Sequence, residues 1–272
     1  MKRILLLAFM LIIYKANAQH QLVKIWETDT VWKVPESVLP DKTGKFLYVS
    51  NIDGGSAAKD GKGSIGKLGL DGTVIAVDWV SGLNAPKGMG IWKDKLYVAD
   101  VDEVVMIDVK KGSIEKKIPI ANATFLNDLA IGPNGEVYVS DTRAKKIFVL
   151  KNETPSLFID SLQSPNGVMV KNGELYFLDA GSLYKYVPQQ KPIKIAEGME
   201  ASTDGLEALG DDFIVSCWVG TVYYVFKDGH KEKLLDTRDQ KSNTADIGFN
   251  ATKKIVYVPT FAKNKIVAYQ LK

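Results

Sequence analysis

The chain has 272 residues, with 35 Lys and Arg against 32 Asp and Glu, two His and a single Cys. One cysteine excludes an intrachain disulfide, so stability must come from burial. The near balance of charge excludes the basic field that a general nucleic-acid or anionic-membrane binder needs.

The first feature in chain order is an export leader. Lys2 and Arg3 precede an apolar run from Ile4 to Tyr14, and Ala16-Asn17-Ala18 supplies small residues where a signal peptidase reads. A run of 11 residues is too short to span a bilayer, which takes about 20. Residues 1–18 are therefore expected to be a signal peptide and Gln19 the mature N-terminus, with the product periplasmic or secreted. Loss of Lys2, Arg3 and Lys15 leaves 32 basic and 32 acidic residues. Residues 19–272 are expected to form one domain, monomeric and with no membrane contact after cleavage.

A short strand then recurs six times: FLYVSN (46–51), KLYVAD (95–100), EVYVSD (136–141), ELYFLD (174–179), DFIVSC (212–217) and IVYVPT (255–260). The starts are 49, 41, 38, 38 and 43 residues apart, a period suited to one four-stranded sheet per repeat. In the fourth repeat GVMV (167–170) leads through Lys171-Asn172-Gly173 to ELYFLD, then SLYKYV (182–187) and PIKIAE (192–197). Turn residues separate the runs and no helical periodicity competes. The sequence predicts an all-β, six-bladed β-propeller. The sixth repeat lacks one strand, and QLVKIWE (21–27) stands unassigned before the first, so the N-terminal strand is expected to close the ring on the last blade.

Counting back 10, 8, 9, 8, 8 and 9 residues from the six Tyr-type strands gives Glu36, Lys87, Asn127, Asn166, Asp204 and Asp246. Five of these six carry side-chain oxygens. If the positions are equivalent they converge on one mouth of the channel, where carboxylate and amide oxygens suit a hard cation, Ca²⁺ more readily than Mg²⁺. Zinc would recruit His or Cys, which the ring lacks. The competing reading is that Asn and Asp at these points only form turns through their side chains.

Pro35-Glu36, Asn127-Asp128, Ser164-Pro165-Asn166-Gly167 and Thr203-Asp204-Gly205 resemble the motifs of the senescence-marker/gluconolactonase group of six-bladed propellers. The resemblance spans residues 19–272 through their repeats. It implies Glu36, Asn166 and Asp204 as ligands of a divalent metal, usually calcium, with Asn127 a further ligand or a substrate contact. It also implies hydrolysis of a lactone or another small ester, in which Asp204 acts as general base or, less directly, as nucleophile. The chain departs from that pattern where Ser37-Val38-Leu39 follows Glu36, and at Lys87. Lys87 either pairs with Asp246 or Asp204 and assists an anionic substrate, or is a solvent-facing turn residue after Pro86. Phrases such as Ala85-Pro86-Lys87-Gly88 also resemble NHL-type propellers, which makes a noncatalytic binder of a small ligand or protein segment the alternative function. A strictosidine-synthase-like role shares the architecture, but no residue singles it out.

Other features read as structure. The glycine-rich stretch 54–63 lacks a Ser or Thr after Lys62 and is expected to be a loop over one face, a possible lid, and no phosphate site. Trp79 and Trp92 are expected to pack between blades, with Trp218 a candidate wall of the substrate cavity beside Lys87 and Asp246. Cys217 is expected to be buried and inert, and neither His20 nor His230 is placed for catalysis.

Overall fold

The computed structural model describes residues 19–272, so the expected leader at 1–18 lies outside the described residues. Six four-stranded antiparallel sheets surround one axis. Five blades are built from consecutive strands. The sixth takes its three inner strands from Gly248–Asn250, Ile255–Pro259 and Ile266–Leu271 and its outer strand from Leu22–Glu27. The N-terminal strand thus closes the ring as the sequence predicts, and the seam between the two ends of the chain is covered.

The Tyr-type strands read as nearly unbroken apolar runs because each blade is sandwiched between two others. In a strand successive side chains face opposite ways. Leu47 and Val49 accordingly pack against the sixth blade through Tyr257 and Ala268, while Tyr48 packs against Leu96 and Val98 of the second. The same alternation recurs round the ring. Each of the six blade-to-blade contacts holds its own cluster of buried side chains, and the core is divided among these interfaces. Each Leu or Val buried in this way stabilises by about 1.5–3 kcal/mol. Trp79 packs on Tyr48 at 5.4 Å between ring centroids, and Trp92 lies against the second–third blade cluster, both in the expected packing role.

Two polar residues of the Tyr-type motif set the geometry of the axis. Its terminal aspartate ties down the loop that leads into the innermost strand. Asp100 accepts from the backbone N–H of Asn84 and Ala85, Asp141 from those of Thr124 and Phe125, and Asp179 from those of Gln163 and Ser164. The serine before it serves the innermost strand itself. Five of the innermost strands change register just after their first residue, a bulge that frees a backbone N–H. In three blades a serine hydroxyl accepts that hydrogen: Ser50 from Ser37, Ser140 from Asp128 and Ser216 from Gly205. A buried N–H left without a partner costs about 1–3 kcal/mol, so these serines hold the bulge in place.

Candidate functional site

The bulge gives five of the six ring positions their equivalence. Glu36, Lys87, Asn127, Asn166 and Asp204 are each the second residue of an innermost strand, beginning at Pro35, Pro86, Leu126, Pro165 and Thr203. All five line a single cavity of about 240 Å³ on the axis, together with Trp218. Asp246 does not join them. It precedes the short sixth inner strand and is drawn to the first blade, where its backbone N–H donates to Glu36 O and its carboxylate accepts from Ser37 Oγ. Its side chain lines a second cavity of about 230 Å³, one to four residues further along the innermost strands, with Asp128 and Glu207.

The ring side chains are not local turn caps. Asn166 donates Nδ2 to Asp204 Oδ1 at 2.9 Å, across two blades. Asn127 donates Nδ2 to Thr142 Oγ1 at 3.0 Å, and that hydroxyl donates in turn to Pro165 O at 2.7 Å, linking the third and fourth blades. Among the ring side chains two oxygens stay buried without any hydrogen-bond partner, Glu36 Oε2 and Asn166 Oδ1; away from the cavity Trp32 Nε1 and Tyr257 Oη are in the same condition. Native interiors rarely leave such atoms unsatisfied.

Lys87 contradicts its reading as a solvent-facing turn residue, because it is 1 % exposed. It forms no ion pair with Asp204 or Asp246 within 4.0 Å. Its Nζ donates to Ala85 O at 2.9 Å and lies 4.5 Å from the centre of the Phe125 ring. A chain that turns inward at the bulge carries this residue to the axis, and Pro-Lys-Gly turn chemistry alone does not reveal that.

Electrostatics along the axis are dominated by clustered acids, of which Glu36, Asp128 and Asp204 are buried and Asp246 and Glu207 half-buried. Burial pushes the Glu36 carboxyl well above its ordinary value, reinforced by Asp204 and Asp246 and opposed by Lys87. Asp204 is likewise held high by burial and by Asp246, against the pull of the Asn166 hydrogen bond. In the deeper cavity burial raises Asp246 to about 7 and, with Asp246 as neighbour, Glu207 to about 8. Asp128 is raised by burial and by Asp246 despite hydrogen bonds from the backbone N–H groups of Val168 and Leu129. A cation on the axis would relieve this mutual repulsion.

The donor set of the upper cavity fits a hard cation. Glu36 and Asp204 supply carboxylates and Asn127 and Asn166 amide groups, with two oxygens otherwise unsatisfied. Such mixed oxygen ligation is the chemistry of Ca²⁺. Among the described residues no group of three or more His, Cys, Asp or Glu side chains is arranged to hold a metal, so the amides are needed to complete any such site.

Several cavity walls escape the sequence reading: Phe125, Thr142, Ser202 and Phe261. They lie outside the innermost strands, Phe261 at the start of a short 3-10 helix and the others on loops, and no repeat spacing points to them. Trp218 is 40 % exposed and meets Phe261 edge-on at 5.4 Å, forming an aromatic wall. The glycine-rich loop reaches the cavity through Ser56. Cys217 is fully buried, and burial pushes its thiol up to about 12. His20 stacks on Tyr224 at 3.9 Å beside Glu232, and His230 lies 5.4 Å from Phe226, so both stand apart from the cavity.

No protein-family model matches the chain, and no curated protein matches it. Solved structures do. A catalytically inactive histidine-to-alanine variant of virginiamycin B lyase from Staphylococcus aureus, with quinupristin, superimposes with a TM-score of 0.64 at 13% identity, covering 93% of this chain and 99% of that one. A streptogramin B lyase superimposes with a TM-score of 0.66 at 11% identity, covering 93% of this chain and 97% of that one. Selenomethionine-substituted virginiamycin B lyase from Staphylococcus aureus gives 0.65 at 12% identity, with 93% and 99% covered. At these identities the likeness is one of fold, and the chain is a six-bladed β-propeller of the same architecture as these lyases.

Proposed function

We propose that this propeller is a metal-dependent hydrolase of a lactone or similar small ester, with Ca²⁺ held by Glu36, Asn127, Asn166 and Asp204. The observation that carries the reading is the pair of buried, unpartnered oxygens, Glu36 Oε2 and Asn166 Oδ1, opening on one small axial cavity. A bound divalent cation would supply Lewis-acid polarisation of the scissile carbonyl and steady the oxyanion.

The chain's own groups do the rest. Asn166 fixes the Asp204 carboxylate by donating to Oδ1, which leaves Oδ2 as the proton acceptor for an attacking water. General-base assistance of this kind contributes about 10²–10⁴-fold. Trp218 and Phe261 form an aromatic wall on one side of the cavity. Export by residues 1–18 belongs to the same proposal, and calcium sites in extracellular modules work at about 10⁻⁴–10⁻³ M.

The structural neighbours are named as lyases, and replacement of a histidine accompanies inactivity in one of them. Neither histidine of this chain lines the cavity, so their chemistry is not carried over with their fold. A panel of lactones and small esters, assayed with Ca²⁺ and with chelator, tests the proposal. Turnover that needs Ca²⁺ and is lost in Asp204→Asn supports it. Ligand binding indifferent to Ca²⁺, with no hydrolysis across the panel, would leave the noncatalytic binding propeller in its place.

A further inference from the structure

The upper cavity is bipolar. Glu36 and Asp204 stand on one part of its wall and Lys87 on another, 1 % exposed and in no ion pair among the described residues. Buried ammonium groups are almost always paired, because an uncompensated charge in a low-dielectric interior is costly. Lys87 has three N–H donors, of which Ala85 O takes one at 2.9 Å, and its Nζ also lies 4.5 Å from the centre of the Phe125 ring.

The acids acting on Lys87 at longer range are already committed. Asp100 receives the backbone N–H groups of Asn84 and Ala85, and Asp141 those of Thr124 and Phe125. Glu36 is in the set assigned to the cation. Of the charged side chains lining the cavity, Glu36 and Asp204 would balance a divalent cation, which leaves Lys87 as the one lining charge with no partner in the cavity itself. Arg143, at the exposed edge, stacks on the outer side of this same wall with Cζ 4.3 Å from the Phe125 ring centre, so the approach past Phe125 is also cationic.

We infer that Lys87 is a carboxylate-binding subsite, and that the substrate is a lactone or small ester carrying a second, ionised carboxylate away from the reacting carbonyl. The inference rests on the proposed hydrolase reading for the reacting end of the ligand but not for the carboxylate end. A single ammonium with spare donors matches a monoanion.

The test is calorimetric binding to the full chain of 5-oxotetrahydrofuran-2-carboxylate and of its neutral carboxamide, in Ca²⁺ and in chelator. The two probes differ in charge at one group. The wild-type chain should bind the carboxylate at least tenfold more tightly than the carboxamide. Lys87→Met should abolish that preference while holding Ca²⁺ as tightly as the parent or more so, since a neighbouring positive charge is gone. Lys87→Arg should retain part of the preference and serves as the check on folding. Equal affinity of the parent for both probes, no measurable binding of either, or a preference that survives Lys87→Met, would each overturn the inference. Loss of Ca²⁺ dependence with the carboxylate preference intact would sink the hydrolase reading and leave the subsite standing.

Discussion

Asn166 Nδ2 donates to Asp204 Oδ1 at 2.9 Å, and that bond decides which end of the amide is left for a ligand. With the nitrogen committed to a carboxylate, Oδ1 is the atom that stays buried and unpartnered, the same condition as Glu36 Oε2 in the same cavity. A reversed amide would set oxygen against carboxylate. Replacement Asn166→Leu removes both the donor and the free oxygen. Ca²⁺ affinity should fall about tenfold to a hundredfold, the scale for losing a group that orients a metal ligand. Titration calorimetry measures it, and an unchanged affinity would remove Asn166 from the site.

Glu207 supplies a pH test outside the proposed ligands. Its folded-state value of about 8 lies above its ordinary 4.5, so the native state keeps a proton that the unfolded state has released. Stability from this group is complete below about pH 4.5 and is lost as pH rises through about 8. In chelator, Glu207→Gln should therefore melt higher than the parent at pH 8.5, with the difference shrinking toward pH 4.5. Parallel melting curves across that range would show that Glu207 ionises as freely in the native protein as in the unfolded chain.

The inner strands meet so closely that side chains are excluded at particular points. A Cβ at Gly88 would collide with Asp128 Oδ1 and come within 2.5 Å of Asp128 Cα. Gly88→Ala should destabilise by about 1–3 kcal/mol, the usual cost of overpacking. Gly55→Ala is the control, because its new methyl would meet only Ala58 Cβ at an ordinary 3.7 Å. Urea unfolding of the two variants should separate them clearly, and equal midpoints would contradict the close approach.

The architecture was readable because the Tyr-type strands alternate at period two with both faces apolar, as a strand between two neighbours must. The ring was readable because five innermost strands bulge just after their first residue, which keeps Glu36, Asn127, Asn166 and Asp204 in phase across loops of different length. Asp246 broke the pattern for a physical reason. Its strand begins only at Gly248, and a contact to Ser37 across the blade boundary takes the carboxylate into the deeper cavity. Lys87 was legible as an anomaly but not as a buried group, since burial depends on Phe125, whose loop is held by Asp141 from another strand. The motif's serine stands in three repeats and its terminal aspartate in three. What they do, accepting the N–H groups that shape the axis, emerges only once the bulges are seen.

The central claim is that the axial oxygens form a cation site, and direct calcium binding tests it. Chelator-stripped protein is titrated with Ca²⁺ by calorimetry, alongside the Glu36→Gln and Asp204→Asn variants, each checked for a native melting transition. The account requires one Ca²⁺ per chain in the parent and an affinity at least about tenfold weaker in each variant, a difference of about 1.4 kcal/mol. No binding at millimolar Ca²⁺, or equal affinity in parent and variants, would contradict it.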